Sequence, residues 1–447
     1  MLGQSTASKA SVLVAFCTIG LVAATPMDVV RADEVSFAGK QISVIIGASP
    51  GGGTDGTSRL VARFMQNHLP GKPRMIYRNM PAGNGTQATN YFANEAARDG
   101  TAWVAGDNSY ISASALRDPA TKYDPRTFNF IGGIIRGGNI MIMAKDKQAS
   151  LTDKSKPPVV VGTPTNMNTG AEMMAWAAEA LGWNLRFVIG YSGTPGMVLA
   201  LRRGEIDMFS TSSLNILQPL EETGNFIPGV QAGQLENGQV VARSAYLQTP
   251  ILPNLVQGKL SGLTQEAFDY WLKSDQLDKW FALPPKVSAD VVKVYIAAYE
   301  QAIAEPEFIK VGKLQFSTDF ASQKPEDIAA IVQSRSYPRS ELLNEIRRVK
   351  EKHGLPAEPL SDQELAALTA NLAKIQDVKS AITKVEREGR VVHFKAGDEM
   401  QSVDVSDGRT DVMIGGKKEK RASLKEGMTC RFVYAGSGSE AQSIDCM

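Results

Sequence analysis

The sequence predicts an α/β protein with two α/β lobes and a small all-β module behind them. Three observations carry this. Residues 42–106 alternate short apolar runs with amphipathic stretches, residues 158–210 repeat that rhythm, and the chain from 389 onward switches to short strand-like runs. The alternation argues for parallel sheets covered by helices.

In chain order, the N-terminus comes first. Lys9 precedes an apolar stretch at 11–24 that is short for a bilayer span, and Val30-Arg31-Ala32 offers small residues for a signal peptidase. Residues 1–32 therefore read as a signal peptide cleaved after Ala32, which makes the mature protein periplasmic. An uncleaved anchor is the alternative. Cys17 sits inside the apolar stretch behind the bulky Phe16, which does not suit a lipoprotein.

A strand is predicted at 42–46, then a helix at 57–69 with Leu60, Val61, Phe64, Met65 and Leu69 on one face. A strand at 74–78, a turn cluster at 79–85, a helix at 86–97 and a strand at 101–106 complete the first unit. The polar segment 145–157 serves as a crossover. The second unit has strands at 158–162, 185–189 and 206–210. Its helices lie at 169–181, with Met173, Met174, Ala177 and Leu181 inward, and at 195–203. Residues 264–304 read as helical, with Thr264 and Ser288 as N-caps, and Ser361 with Glu364 fits a capping box. Short strands are predicted at 391–394, 403–405, 412–414, 431–434 and 443–446, with Asp407-Gly408 as a tight hairpin turn. A hairpin over 431–446 turning at 436–439 opposes Cys430 and Cys446. Without the leader these are the two remaining cysteines, and an even pair in an exported chain reads as a disulfide. Two free thiols are the alternative.

Composition narrows the function. The 447 residues are 43% hydrophobic and 21% charged, with a net charge of +1, so there is no global basic field for nucleic acid. The run Lys417, Lys418, Lys420, Arg421 is diluted by Glu419 and reads as a solvated turn. The three histidines, His68, His353 and His393, are not at metal-ligand spacing, so neither a metal nor a cofactor is expected.

The chemistry concentrates in glycine-rich turns. Ser49, Pro50, Gly51, Gly52, Gly53, Thr54 and Asp55 run from the first strand into the first helix. Backbone N–H groups and the helix dipole converge there into an anion site suited to a carboxylate. No Gly-Lys-Ser/Thr follows, and the dinucleotide spacing fails, which excludes a nucleotide loop. The match of 47–51 to the G-x-S-x-G nucleophile elbow also fails: the oxyanion hole needs an N–H after the serine, and Pro50 has none. A second loop offers Tyr191, Ser192, Gly193 and Thr194 before another helix; Tyr191 either roofs a ligand or fills the space between layers. Thr163, Thr165 and Asn168 occupy a third polar turn, lining the cleft or capping the helix. Asn108 and Ser109 follow the third strand at its carboxyl end, where α/β sheets hold ligands. Asp207 either reaches the cleft or holds the turn at Gly204.

These motifs, in this order, resemble the solute-binding receptors of tripartite tricarboxylate transporters, the Bug-type receptors. The carrying residues are 49–55, then Arg78-Asn79-Met80-Pro81-Ala82-Gly83-Asn84-Gly85-Thr86, Asp99-Gly100, Tyr123-Asp124-Pro125, 191–195 and Gly204-Glu205-Ile206-Asp207. The resemblance runs from 41 to 224 and weakly on to 316. It implies a type II periplasmic-binding-protein fold that closes on its ligand. Residues 33–144 and 245–322 would form lobe 1, 145–244 lobe 2, 323–388 a helical extension and 389–447 the small β domain. It implies no catalysis, a small carboxylate gripped by 50–55 and 191–195, an integral-membrane permease as partner, and a monomer. Gly47-Ala48 replace the family's usual Pro-Phe, and Asn168 stands at a common histidine, so the ligand is left open. The alternatives are a sensor receptor for a signalling partner and an exported esterase using Ser49.

Overall fold

The computed structural model describes residues 35–236, 239–336, 338–356, 359–366, 376–407, 410–434 and 439–447. The expected signal peptide, Gly408 and most of the 436–439 turn lie outside the described residues.

The first α/β unit comprises β1 (Gln41–Ile46), α1 (Gly53–His68), β2 (Arg74–Asn79), α2 (Thr86–Asn94), β3 (Ala102–Asp107), α3 (Asn108–Ala115) and β4 (Asn129–Ile135). The chain then enters the second unit: β5 (Ile140–Ala144), β6 (Val159–Thr163), α4 (Thr169–Leu181), β7 (Leu185–Ile189), α5 (Thr194–Arg203), β8 (Met208–Thr211), α6 (Leu214–Glu221) and β9 (Phe226–Gln231). A small hairpin, β10 (Gln234–Glu236) and β11 (Gln239–Val241), leads to α7 (Leu252–Val256) and α8 (Gly262–Asp275). The path returns through β12 (Lys279–Leu283), α9 (Ala289–Ala304), α10 (Pro306–Gln315) and β13 (Ala321–Gln323). Helices α11 (Pro325–Arg335) and α12 (Ser340–Lys352) follow. The chain ends in β14 (Gln376–Glu386), β15 (Val391–Ala396), β16 (Glu399–Asp404), β17 (Asp411–Ile414), β18 (Lys417–Lys418), β19 (Thr429–Tyr434) and β20 (Ser439–Cys446).

Lobe 1 is built on a six-stranded sheet, β13-β4-β12-β3-β1-β2, and lobe 2 on a five-stranded sheet, β7-β6-β8-β5-β9. The β1–β2, β1–β3 and β6–β7 pairings are parallel, as the alternating sequence requires. One face of the lobe 1 sheet is sealed by Leu60, Phe64, Tyr295 and Phe308, from α1, α9 and α10. The other is sealed by Phe92, Phe128, Trp280 and Val332. In lobe 2, Met174, Trp176, Phe268 and Trp271 cover one face, with Ile346 and Val349 of α12 among them. Met197, Leu201 and Leu217 cover the other.

Several expectations need correction. Residues 140–144, expected in lobe 1, belong to lobe 2, where β5 pairs with β8 and β9. The apolar side chains of α7 and α8 join the lobe 2 core as well, not that of lobe 1. The helical stretch 264–304 is broken by β12, which lies between β3 and β4 with every residue buried. A short continuous apolar run has no period to separate strand from helix. Thr264 caps nothing: Ser261 is the N-cap of α8, and Thr264 Oγ1 donates instead to Glu345. Ser288 does cap α9, and the Ser361–Glu364 capping box forms in both directions.

The helical extension expected over 323–388 includes a strand: residues 376–386 form the longest described strand of the C-terminal domain. β14 pairs with β19 through its first half and β15 through its second, with a register shift between Ile382 and Lys384. Its β-branched Val378, Ile382, Thr383 and Val385 favour this extended form. The order β16-β15-β14-β19-β20 closes through a parallel β16–β20 pairing, giving a five-stranded Greek-key barrel of the OB type. The turn expected at Asp407-Gly408 lies partly outside the described residues; among the described strands β16 pairs with β15 and β20, while β17 pairs with β18 and β20. Phe394 stacks on Phe432 inside, with ring centroids 3.8 Å apart. Cys430 and Cys446 are directly opposed, with their sulfurs 2.03 Å apart. The barrel docks on lobe 1 through Asp377, which takes Arg98 at 2.9 Å and its own Arg431 at 2.9 Å. Arg431 Nη2 also donates to the Ala96 carbonyl at 2.7 Å. No helix among the described residues is long and apolar enough to cross a membrane.

Candidate functional site

Between the lobes lies a cleft with a free volume of about 110 Å³, open to solvent. Five helix starts line it, belonging to α1, α3, α4, α5 and α6. The first N–H groups of any helix have no intrahelical partner, so how each start is capped decides what it can bind. At α3 the Asp107 carboxylate accepts from Ser109 N at 2.9 Å, and at α4 Asn168 Oδ1 accepts from Ala171 N at 3.0 Å. The N-caps of α1 and α5 are Gly52 and Gly193, and neither start carries a side-chain cap; α6, N-capped by Ser213, has none either, but its Leu214 N–H donates to the Phe316 carbonyl and Ser213 Oγ is taken by Arg136. The α1 and α5 starts are the two glycine-rich loops, so the helix ends without their own oxygen face each other across the cleft. That geometry attracts an anion and leaves N–H groups for it.

The two loops meet. Ser49 Oγ donates to the Ser192 carbonyl, lobe 1 to lobe 2. Gly53 presses against a buried cluster: a Cβ there would lie 2.4 Å from Ser213 Oγ and 2.5 Å from Arg136 Nη1. Arg136, 2% exposed, ties together the chain crossings between the lobes. Its Nε donates to Asp278 at 2.7 Å, Nη1 to Ser213 Oγ at 2.7 Å and Nη2 to Ser212 Oγ at 2.7 Å. Lys279 lies 2.9 Å from Asp278 and 3.8 Å from Asp107. Burial alone would push the Asp278 carboxyl up; Arg136 and Lys279 outweigh that and hold it ionised, well below the carboxylate range. Two buried cations thus face two carboxylates. The side-chain charges of this cluster cancel, and the positive potential comes from the helix starts.

Of the residues expected at the site, Ser49, Gly52, Gly53, Thr54, Asn108, Ser109, Asn168, Tyr191, Ser192, Gly193 and Thr194 line the cleft. Pro50, Gly51, Asp55, Thr163, Thr165 and Asp207 are not part of its wall. The Asp55 carboxylate turns back into lobe 1, taking Arg59 Nε at 2.9 Å, Asn79 Nδ2 at 2.9 Å and Gly51 N at 3.0 Å. Burial would raise its pKa, but these hydrogen bonds win and lower it. Thr163 Oγ1 donates to the Thr165 carbonyl, and Thr165 Oγ1 accepts from Met167 N, which shapes the turn below Asn168. Asp207 accepts from Val160 N at 2.8 Å and pairs with Lys147 at 3.2 Å, stitching β6 to β8. Arg136, Asp278, Lys279 and Asp107 escaped the sequence reading. Only Asp107 left a trace, as an Asp directly before a strand-to-helix junction.

No protein-family model matches the chain, and no curated protein matches it. Solved structures do. The periplasmic binding protein BugD aligns at 17% identity and a TM-score of 0.54, over 71% of this chain and 99% of its own. MatC (Rpa3494) from Rhodopseudomonas palustris, solved with bound malate, aligns at 18% identity and 0.52, over 68% and 98%. Rpa4515 from R. palustris, solved with adipate, aligns at 17% and 0.55, over 72% and 98%. Nearly the whole of each neighbour is matched, while over a quarter of this chain lies outside the alignment. The chain has the two-lobed α/β fold of periplasmic binding proteins.

Proposed function

We propose that this protein is an exported receptor that captures a small organic carboxylate between its lobes and delivers it to the permease of a tripartite tricarboxylate-type transporter. The observation that carries this is the meeting of two helix starts, α1 and α5, each capped only by glycine, across one cleft. Backbone N–H groups of 53–54 and 193–194 hold the carboxylate, while the Gly52 N–H closes the turn onto the Ser49 carbonyl at 3.2 Å. Asn108, Ser109, Asn168 and Tyr191 meet the rest of the ligand. Malate and adipate in two neighbours of the same fold support this ligand class. No covalent step is required. Export through residues 1–32, periplasmic residence and action as a monomer belong to the same reading.

The test is a thermal-shift screen of the purified protein against aliphatic and aromatic carboxylates, malate and adipate included, with matched neutral alcohols as controls. A ligand of the folded state raises Tm by mass action. One class of acid shifts Tm and its alcohol does not. Equal responses to acids and alcohols, or none to any acid, refute the carboxylate reading.

A further inference from the structure

A second, smaller cavity lies away from the cleft, walled by the end of α3, by α4, α8, α11 and α12. On the same measure its free volume is about 10 Å³, against about 110 Å³ for the cleft. Its charged wall is unbalanced. Lys350 and Glu172 form a buried pair at 2.6 Å, and Lys350 Nζ also donates to the Asn166 carbonyl, so both are engaged. Arg335, 2% exposed, is the surplus cation. Its guanidinium carbon lies 5.0 Å from the Tyr270 ring centroid, Nη2 reaches Ser112 Oγ at 3.4 Å, and the Tyr270 hydroxyl and the Glu172 carboxylate also act on the guanidinium. Nε and Nη1 are buried without a hydrogen-bond partner among the described residues.

A buried guanidinium with orphaned donors is costly, and proteins almost always supply a partner. We infer that this cavity is a site for a single halide-sized anion, chloride in ordinary buffers, bound by Arg335 Nε and Nη1. The volume excludes an organic acid, so the site is independent of the carboxylate cleft. Its walls come from elements of both lobes and from α11 and α12, so an occupant would fasten these helices to the body.

Crystals grown in sodium bromide test this directly. An anomalous peak within hydrogen-bonding reach of Arg335 Nε or Nη1 is expected; water without anomalous signal at that position overturns the inference. In solution, Tm is compared at equal ionic strength in sodium chloride and in sodium methanesulfonate, whose anion is too large for the cavity and carries no carboxylate for the cleft. Chloride is expected to raise Tm by about 2–4 °C at saturation, and Arg335→Met to abolish the difference. Equal Tm values for the wild type in the two salts refute the site, whether or not the variant folds.

Discussion

The two jaws of the cleft share a glycine cap and little else. The lobe 1 jaw hangs from β1, an interior strand paired on both sides, whereas the lobe 2 jaw hangs from β7, the edge strand of its sheet. Behind the first jaw, Asp55, Arg59 and Asn79 form a closed polar network, and Asn79 Nδ2 also holds the Ala48 carbonyl at 2.8 Å. Gly53 rests on Arg136 and Ser213. Behind the second jaw, Ile189 is 43% exposed, and a Cβ at Gly190 would meet open space. One jaw is preset and the other is free to adapt. On the proposed receptor reading, closure would bring an adjustable loop onto a fixed anion socket, which would let one fold take acids of different shape.

If that contrast is right, the same change costs more in the first jaw. Gly53→Val should have the largest effect, because its Cβ must displace Ser213 Oγ or the Arg136 guanidinium. Overpacking of this kind costs about 1–3 kcal/mol, and the displaced cluster also shapes the cleft. A fall in Tm of several degrees and loss of the carboxylate-induced shift are expected, both read by calorimetry. A Gly53→Val protein with wild-type affinity breaks the comparison.

Asp55→Asn comes next. It keeps the shape but removes the charge that Arg59 and the Gly51 N–H meet, a loss of about 1–3 kcal/mol for charged hydrogen bonds. The sign with pH follows from the lowered folded pKa. The carboxylate's contribution is present above the ordinary Asp value of 3.8 and is lost as pH falls below it toward the folded value. Wild type and Asp55→Asn should differ most in Tm above pH 5 and converge toward pH 2. Parallel curves across that range would show that the network behind the first jaw does not depend on the charge.

Gly193→Ala sharpens the contrast from the other side. Gly193 has φ +94° and ψ −172°, a region open essentially to glycine alone. Strain of about 1–3 kcal/mol is expected. Because the second jaw follows an edge strand and is held mainly by hydrogen bonds to Ser49 and to the Thr163 carbonyl, the free protein relaxes that strain locally, and the cost appears when the ligand pulls the loop into place. Affinity measured by calorimetry should drop about 5- to 100-fold, while Tm without ligand moves by no more than a degree or two. An equal fall in Tm would mean that the second jaw is as rigid as the first.

Much of this was legible in the chain, for identifiable reasons. The strand–turn–helix rhythm, the two glycine loops and the opposed cysteines rest on local periodicity and turn chemistry, which neighbouring residues determine. The misread elements carried a weak local signature. β12 is too short and too apolar to show a period, and β14 offers only its β-branched residues, the register of its first half being set by β19 about fifty residues away in sequence. The charged cluster was invisible for a related reason. Arg136 and Asp278 come from two crossings between the lobes and Ser213 from the β8–α6 turn of lobe 2, and no spacing along the chain announces that they meet. Conversely, Asp55 and Asp207 look like ligands in sequence because an acid in a loop is chemically conspicuous. The structure shows both satisfied by N–H and cationic partners within their own lobes.

The smallest expected effect tests the contact between the jaws itself. Ser49 Oγ donates to the Ser192 carbonyl and is the hydrogen bond by which the fixed loop holds the adjustable one. Ser49→Ala removes it without adding bulk. A neutral hydrogen bond near the surface contributes about 0.5–1.5 kcal/mol, so ligand should leave about 2- to 10-fold faster. Its arrival should change little, because the bond forms only once the jaws have met. Stopped-flow release of a carboxylate identified by the thermal-shift screen gives both rates. A slower arrival with unchanged release would place the Ser49–Ser192 contact in the free protein, where it would hold the two loops together before the ligand comes and make the second jaw part of the preset socket.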